Sequence, residues 1–244
     1  MIPGGRITGR PLSQAPCGTV IELADMRTWP RSLTRLVMAS TVPLDEAWTV
    51  SDDEFCRATR GRLLRVYHCT RLTEREIGEV RECGLVPLNP NLVARRIENA
   101  VVDGHLTPDE GVLYSTSRLS HDPERRGRLW FCGDRLSVSN VHGVGYLFSI
   151  WGGEGINMAW DSRSEECRRL ARVGTPSVVI SLIDPTESSG SHPGLFAAAL
   201  NKARGGTRGT DVCIRVPVTP ANIEAIEFPG SRWWRRYVRW EPSA

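Results

Sequence analysis

The segment LLRVYHCTRLTEREIGEVRECGL, residues 63–85, constrains this chain more than any other. Residues 63–70 are rich in aliphatic and aromatic side chains, and LLRVYHCT predicts a strand. A helix must begin almost at once. Thr73 is placed as an N-cap, and Glu76 stands three residues later, which is the spacing of a capping box. Leu72 and Ile77 occupy the two positions of a hydrophobic staple. Ile77 and Val80 form an apolar stripe, and Gly84 supplies the residue that ends the helix. His68 is therefore expected at the end of a strand, a few residues before a helix N-terminus.

The same periodicities extend along the chain. SDDEFCRATRGRLL, within residues 51–64, reads as a short helix with Ser51 as N-cap and acids at its start. Residues 90–102 predict a second helix, and 110–117 (EGVLYSTS) and 126–134 predict strands. A glycine turn at 152–155 opens a short helix, and 176–184 is a strong strand. HPGLFAAALNKARGG reads as a helix stopped by glycines, 211–218 as a strand, and TPANIEAIEF as a turn leading into a further strand. Strands and helices alternate without a regular βαβ rhythm, so the expected class is α+β with a mostly antiparallel, splittable sheet. Residues 1–60 are expected to form an N-terminal extension, an irregular Gly/Pro/Arg arm at 1–19 plus helices, and 61–244 the main domain.

Charge and cysteine content exclude several function classes. The net charge of +3, from 31 basic against 28 acidic residues, is too mild to imply a nucleic-acid-binding protein by itself. Seven scattered cysteines with no C-x-x-C pair fit reduced thiols in the cytoplasm better than a disulfide framework. The first sixteen residues hold no apolar core, so no secretory leader is expected, and no run is long enough to span a membrane. The five histidines lack metal-ligand spacing, and no nucleophile elbow occurs.

Four places carry candidate chemistry, each with a plainer alternative. His68-Cys69-Thr70 offers an imidazole and a hydroxyl suited to ribose or carboxamide groups; composition alone favours a simple strand-end hydrogen bond. Tyr114-Ser115-Thr116 offers a ring for stacking on a heterocycle, or an ordinary strand end. In SIWGGEGIN, residues 149–157, Glu154 beside Trp151 is a carboxylate able to steady a developing cation; a helix-start acid after a glycine turn reads equally well. The C-terminal SRWWRRYVRW can stack bases and hold phosphates, but the low charge favours an edge strand with a Trp-packed inner face. GGTRG, residues 205–209, reads as a helix stop rather than a phosphate loop, because a strand follows it.

Taken in order, VYHCT, IGEVRECGL and GVLYSTS resemble the ADP-ribosyltransferase fold, in its histidine–tyrosine–glutamate branch of diphtheria-toxin-like and poly(ADP-ribose)-polymerase-like enzymes. The resemblance covers residues 62–230 and rests on short motifs. It implies a split, mostly antiparallel sheet flanked by helices, and NAD as substrate without a metal. By that likeness His68 binds a ribose hydroxyl, the Cys69 backbone holds the carboxamide, and Thr70 supports the loop. Tyr114 stacks on the nicotinamide, with Ser115 beside it. Cys69 departs from the usual glycine. The acid is Glu154 or, by strand order, Asp211, which departs from the usual glutamate. The implied activity is mono-ADP-ribosyl transfer to an unknown protein or nucleic-acid acceptor, or to water. The rivals are a nucleotide- or nucleic-acid-binding module and an inactive domain of the same fold. Toxin and defence roles are common in that family, and no residue here demonstrates one.

Overall fold

The computed structural model describes residues 20–44, 46–47, 52–115, 125–156 and 164–240, without the side chains of 141–143 and 154. The arm at 1–19, Ser51 and Thr116 lie outside the described residues. Seven strands form one α+β sheet flanked by helices. At its centre is β2 (Leu63–Leu72), buried at eight of its ten positions, as expected for a strand covered on both faces. β2 pairs antiparallel with β4 (Thr175–Ile183) through nine consecutive partners, from Leu64↔Ile183 to Leu72↔Thr175. β7 (Ile223–Glu227) continues the sheet beyond β4.

The opposite edge of β2 is divided. β1 (Val20–Ile21) runs parallel to Leu63 and Leu64. β3 (Leu129–Cys132) touches β2 at one register pair, Tyr67↔Cys132, and then turns to β6 (Asp211–Ile214) and β5 (Ser188–His192). The sheet is mostly antiparallel, and it is nearly parted between β2 and β3.

Period-two alternation sends neighbouring side chains to opposite layers. Leu64 and Val66 join Val179, Phe131 and Ile214 in the larger core, with Leu33 of α1 (Arg31–Ala39), Phe55 of α2 (Asp53–Ala58) and the apolar face of α9 (Leu195–Ala203). Ile21 and Leu23 sit in this core too, so β1, α1 and α2 add a layer to it. Tyr67 and Cys69 face the second core with Val178 and Ile180, closed by Phe148 of α6 (Val141–Ser149) and Trp234 of α10 (Arg232–Tyr237). A third cluster joins α4 (Pro90–Val102) and α5 (Pro108–Ser115) to Trp151, Leu170 and Val173.

The helix after β2 is built as its sequence specifies. In α3 (Glu74–Cys83) the Glu76 amide donates to Thr73 Oγ1 at 3.3 Å, and the Thr73 amide donates to Glu76 Oε2 at 2.8 Å. Gly84 ends it at φ 81°. Two predicted strands are helices. Residues 110–115 belong to α5, because TPDE at 107–110 is itself a capping box: the Thr107 amide donates to Glu110 Oε2 at 2.7 Å, with Pro108 at the first helical position. The C-terminal Arg/Trp segment is α10 rather than an edge strand. Ser231 Oγ accepts from the Trp234 amide at 3.0 Å, and Trp233 and Tyr237, four apart, meet at 5.2 Å. Its tryptophans do pack inward: Trp234 is buried and Trp233 stacks on Tyr67 at 5.7 Å.

Arg71 ties these layers together. Its guanidinium is buried and donates to three carbonyls: Val173 at 2.9 Å, Phe148 at 2.8 Å and Gly174 at 2.7 Å. It thereby caps the end of α6 and anchors the turn before β4. Arg71→Met leaves these carbonyls without their charged donor. It is expected to lower stability by about 3 kcal/mol, with Arg71→Lys recovering part of the loss. Urea denaturation tests this: the midpoint should fall at unchanged slope, and an unshifted midpoint would refute the clamp.

Candidate functional site

Where β2 and β3 part, a cavity of about 200 Å³ opens. Beyond Tyr67 the β3-side edge of β2 has no strand partner among the described residues, and His68, Cys69 and Thr70 line the opening. β3 contributes Trp130, Phe131 and Cys132, and Asp211 enters from the start of β6 opposite Cys132. α4 supplies Leu92 and Arg96, one helical turn apart on one face. Arg125 and Arg128 come from the approach to β3, and Gly152, Gly153 and Gly155 from the glycine turn. Three arginines thus line the cavity against one described acid, Asp211.

His68 has a defined protonation state. Its Nδ1 lies 2.9 Å from the Trp130 carbonyl oxygen, which can only accept. Nδ1 therefore carries the hydrogen, and in the neutral ring Nε2 is an acceptor. Burial, reinforced by the Arg96 charge, pushes the imidazole below its usual 6.5, while the Trp130 bond resists. The ring also meets Phe131 edge-on at 5.8 Å.

Glu76 organises the neighbouring wall. Besides closing the capping box, it accepts from Trp151 Nε1 at 2.9 Å and from Arg96 Nε at 2.5 Å. Burial pushes this carboxyl up; the Arg96 charge and these hydrogen bonds outweigh it and hold the group ionised below the usual range. The Arg96 guanidinium lies over the Trp151 ring at 5.0 Å. Trp130 presents a flat indole with Arg125 5.9 Å above it. Cys69 and Cys132 bring their sulfurs within 4.0 Å, and this contact together with burial raises the Cys132 thiol. Tyr67 also lines the cavity and is immobilised from behind, its hydroxyl donating to buried Glu22.

The residues singled out in the sequence divide into two groups. His68, Cys69, Thr70 and Asp211 come together at the cavity. Tyr114 and Ser115 do not: they sit on α5, where the buried Tyr114 hydroxyl donates to the Glu166 carbonyl at 2.9 Å in the third cluster. Ser115 Oγ donates back to Gly111 at 2.7 Å. The expectation of a ring at 114 in the cleft is corrected accordingly, because residues 110–115 wind as a helix and turn Tyr114 into that cluster. Glu154 lies in α7 (Gly153–Ile156), whose glycines border the cavity, and its side chain is outside the described residues. Trp130 and Arg96 went unnoticed in the sequence. RLWFC gave a signal for the first, an aromatic pair on a strand. Nothing local marks Arg96, whose partner Glu76 is 20 residues away.

Gly152 shapes the turn at the mouth: it adopts φ 95°, and a Cβ there would fall 2.6 Å from Ile156 Cβ. Among the described residues no group of three or more His, Cys, Asp or Glu side chains gathers as metal ligands. No helix among them is long and apolar enough to cross a membrane.

The depressed His68 pKa has a signed consequence for stability. Below about pH 6.5 the unfolded chain binds a proton that folded His68 refuses, so stability falls as pH drops from there toward the folded pKa. Above that range the residue contributes no slope. His68→Gln is expected to flatten the slope of unfolding free energy between pH 6.5 and 5, measured by urea titration at each pH. An unchanged slope would mean that His68 is not held neutral. No family model, no curated protein and no solved structure matches this chain.

Proposed function

We propose that the chain is an NAD-consuming ADP-ribosyltransferase, with a protein side chain, a nucleic acid or water as acceptor. One observation carries this reading: a histidine that lines a cavity at the parting of two strands has its Nδ1–H bonded to the Trp130 carbonyl, which leaves Nε2 of the neutral ring as the acceptor. A ribose hydroxyl is the complementary donor. The volume, about 200 Å³, accommodates a flat heterocycle and a sugar rather than a whole dinucleotide, so the remainder of NAD would extend through the mouth. The Trp130 indole takes the stacking role that the sequence motif had assigned to Tyr114. That substitution keeps the need for a flat ring and changes which strand supplies it.

In the reaction the C1′–N bond of the nicotinamide riboside breaks, and its electron pair leaves on the nicotinamide nitrogen. The ribose becomes oxocarbenium-like. A carboxylate beside C1′ stabilises that charge, and the acceptor's lone pair closes the new C1′ bond as its proton passes to the carboxylate or to solvent. Asp211 lines the cavity and Glu154 belongs to the helix whose glycines border it, so each is a candidate for this role. His68 and the indole orient the nicotinamide riboside for departure.

A second reading, a nucleotide-binding domain without turnover, is favoured by the absence of Tyr114 from the cavity. Stacking of nucleic-acid bases on the C-terminal tryptophans is disfavoured by the burial of Trp234 and the stacking of Trp233 on Tyr67.

Purified protein incubated with NAD is expected to release nicotinamide, and His68→Ala to abolish the release. Whichever of Glu154→Gln and Asp211→Asn removes the stabilising carboxylate should cut turnover by about 100-fold or more with NAD binding retained. NAD binding without any nicotinamide release would select the second reading, and no NAD binding at all would sink both.

A further inference from the structure

Arg96 is positioned before any ligand arrives. Its Nε donates to Glu76 Oε1 at 2.5 Å, and its guanidinium lies on the Trp151 face at 5.0 Å. Glu76 is itself pinned by the Thr73 amide and by Trp151 Nε1. Nε is thereby used. Its neighbour Nη2 is buried and meets no acceptor among the described residues, while Arg96 lines the cavity. A buried charged donor left unsatisfied is costly, and native structures keep such groups where a ligand completes them.

Arg128 lines the same cavity, adding a second guanidinium. Glu76 offsets one unit of this positive charge from behind the wall, and Asp211 offsets another across the cavity. Arg125 is in the lining as well, so three arginines stand against these two described carboxylates, and this balance favours an anion. Planar guanidinium groups match phosphate oxygens, which accept two parallel N–H bonds, better than they match a neutral carbonyl.

We propose that Arg96 is a phosphate-binding residue of this cavity, and that its Nη2 donates to an oxygen of a diphosphate ester such as the pyrophosphate bridge of a nucleotide. The identity of that nucleotide as NAD rests on the reading given under Proposed function; the anion site itself does not. Glu76 and Trp151 act through Arg96 by holding its plane.

The test is isothermal titration of the full chain with inorganic pyrophosphate and with ADP-ribose. Wild type is expected to bind both. Arg96→Gln should weaken both by about tenfold or more, the loss of one charge-assisted contact. Arg95→Gln is the control: that side chain is 57% exposed on the same helix and should leave binding unchanged. Because Arg96→Gln also unpairs buried Glu76 and can unfold the chain, Arg96→Lys provides a second variant. It keeps the positive charge beside Glu76 but loses the planar fork, and should bind both ligands more weakly while melting as a folded protein. If the protein turns over NAD, either Arg96 variant should raise KM for NAD with kcat nearly kept.

Pyrophosphate and ADP-ribose binding that is unaltered in a folded Arg96 variant, or absent in wild type, would overturn the proposal. Nicotinamide release with an unchanged KM in such a variant would overturn it and leave the NAD reading standing. Arg96-dependent pyrophosphate binding without any action on NAD would support the anion site and reject the NAD reading.

Discussion

The single backbone pair between Tyr67 and Cys132 decides the shape of the whole site. β2 commits one edge to β4 over nine positions, and that continuous ladder makes it the rigid centre of the sheet. Its other edge is shared by β1 at Leu63–Leu64 and by β3 at one point. Past that point the two strands diverge, and the segment of β2 left without β3 is the one carrying His68-Cys69-Thr70. Unpaired strand edges are normally covered or blunted. Here the gap is walled by α4, α6 and the glycine turn, and it becomes a cavity instead of an adhesive surface. The Trp130 carbonyl, freed from regular pairing with β2, is in reach of the His68 imidazole and selects its tautomer.

The second determinant is a local signal used twice. Thr73 and Glu76 satisfy each other's amides, which any isolated helix start would do. The same carboxylate also receives Trp151 and Arg96, from segments 75 and 20 residues away. A capping residue thereby fixes the orientation of a cavity-lining guanidinium. The arrangement is well founded energetically: the carboxylate is buried but receives three donors, from the Thr73 amide, Trp151 and Arg96, so its charge is retained rather than neutralised. Arg71 follows a different logic, spending its donors on backbone carbonyls to hold the ends of other elements, with no carboxylate among those partners.

The placement of the aromatic ring shows how a motif can be legible and still misassigned. LYSTS after EGV has the short apolar run of a strand, and periodicity cannot separate such a run from a helix. Three residues upstream, Thr107-Pro108-Asp109-Glu110 supplies a helix start that overrides it. Tyr114 is then drawn into a cluster with Trp151 and Leu170, remote from β2. The flat ring at the cavity comes from Trp130, on the strand that meets β2 at the parting. In α10, likewise, arginines and aromatics alternate irregularly enough to read as a strand, yet the Ser231 cap and the i, i+4 meeting of Trp233 with Tyr237 make it helical.

The amino-acid sequence alone determined a strand at 63–70, its capped and glycine-stopped helix, the helix at 90–102 and the strong strand at 176–184, each close to its observed bounds, because each is specified by near neighbours through periodicity, capping and turn chemistry. It expected His68 at the end of that strand, whereas the strand runs on to Leu72 and His68 lies inside it, six residues before the start of the next helix. The tertiary structure decided what His68 faces. Cys132, Asp211, Arg96 and Trp130 reach the cavity through pairings between residues 20 (Arg96–Glu76) to 79 (Cys132–Asp211) positions apart, and such pairings leave no local trace. They follow from which strands run out of partners, a property of the assembled sheet and not of any one stretch of chain.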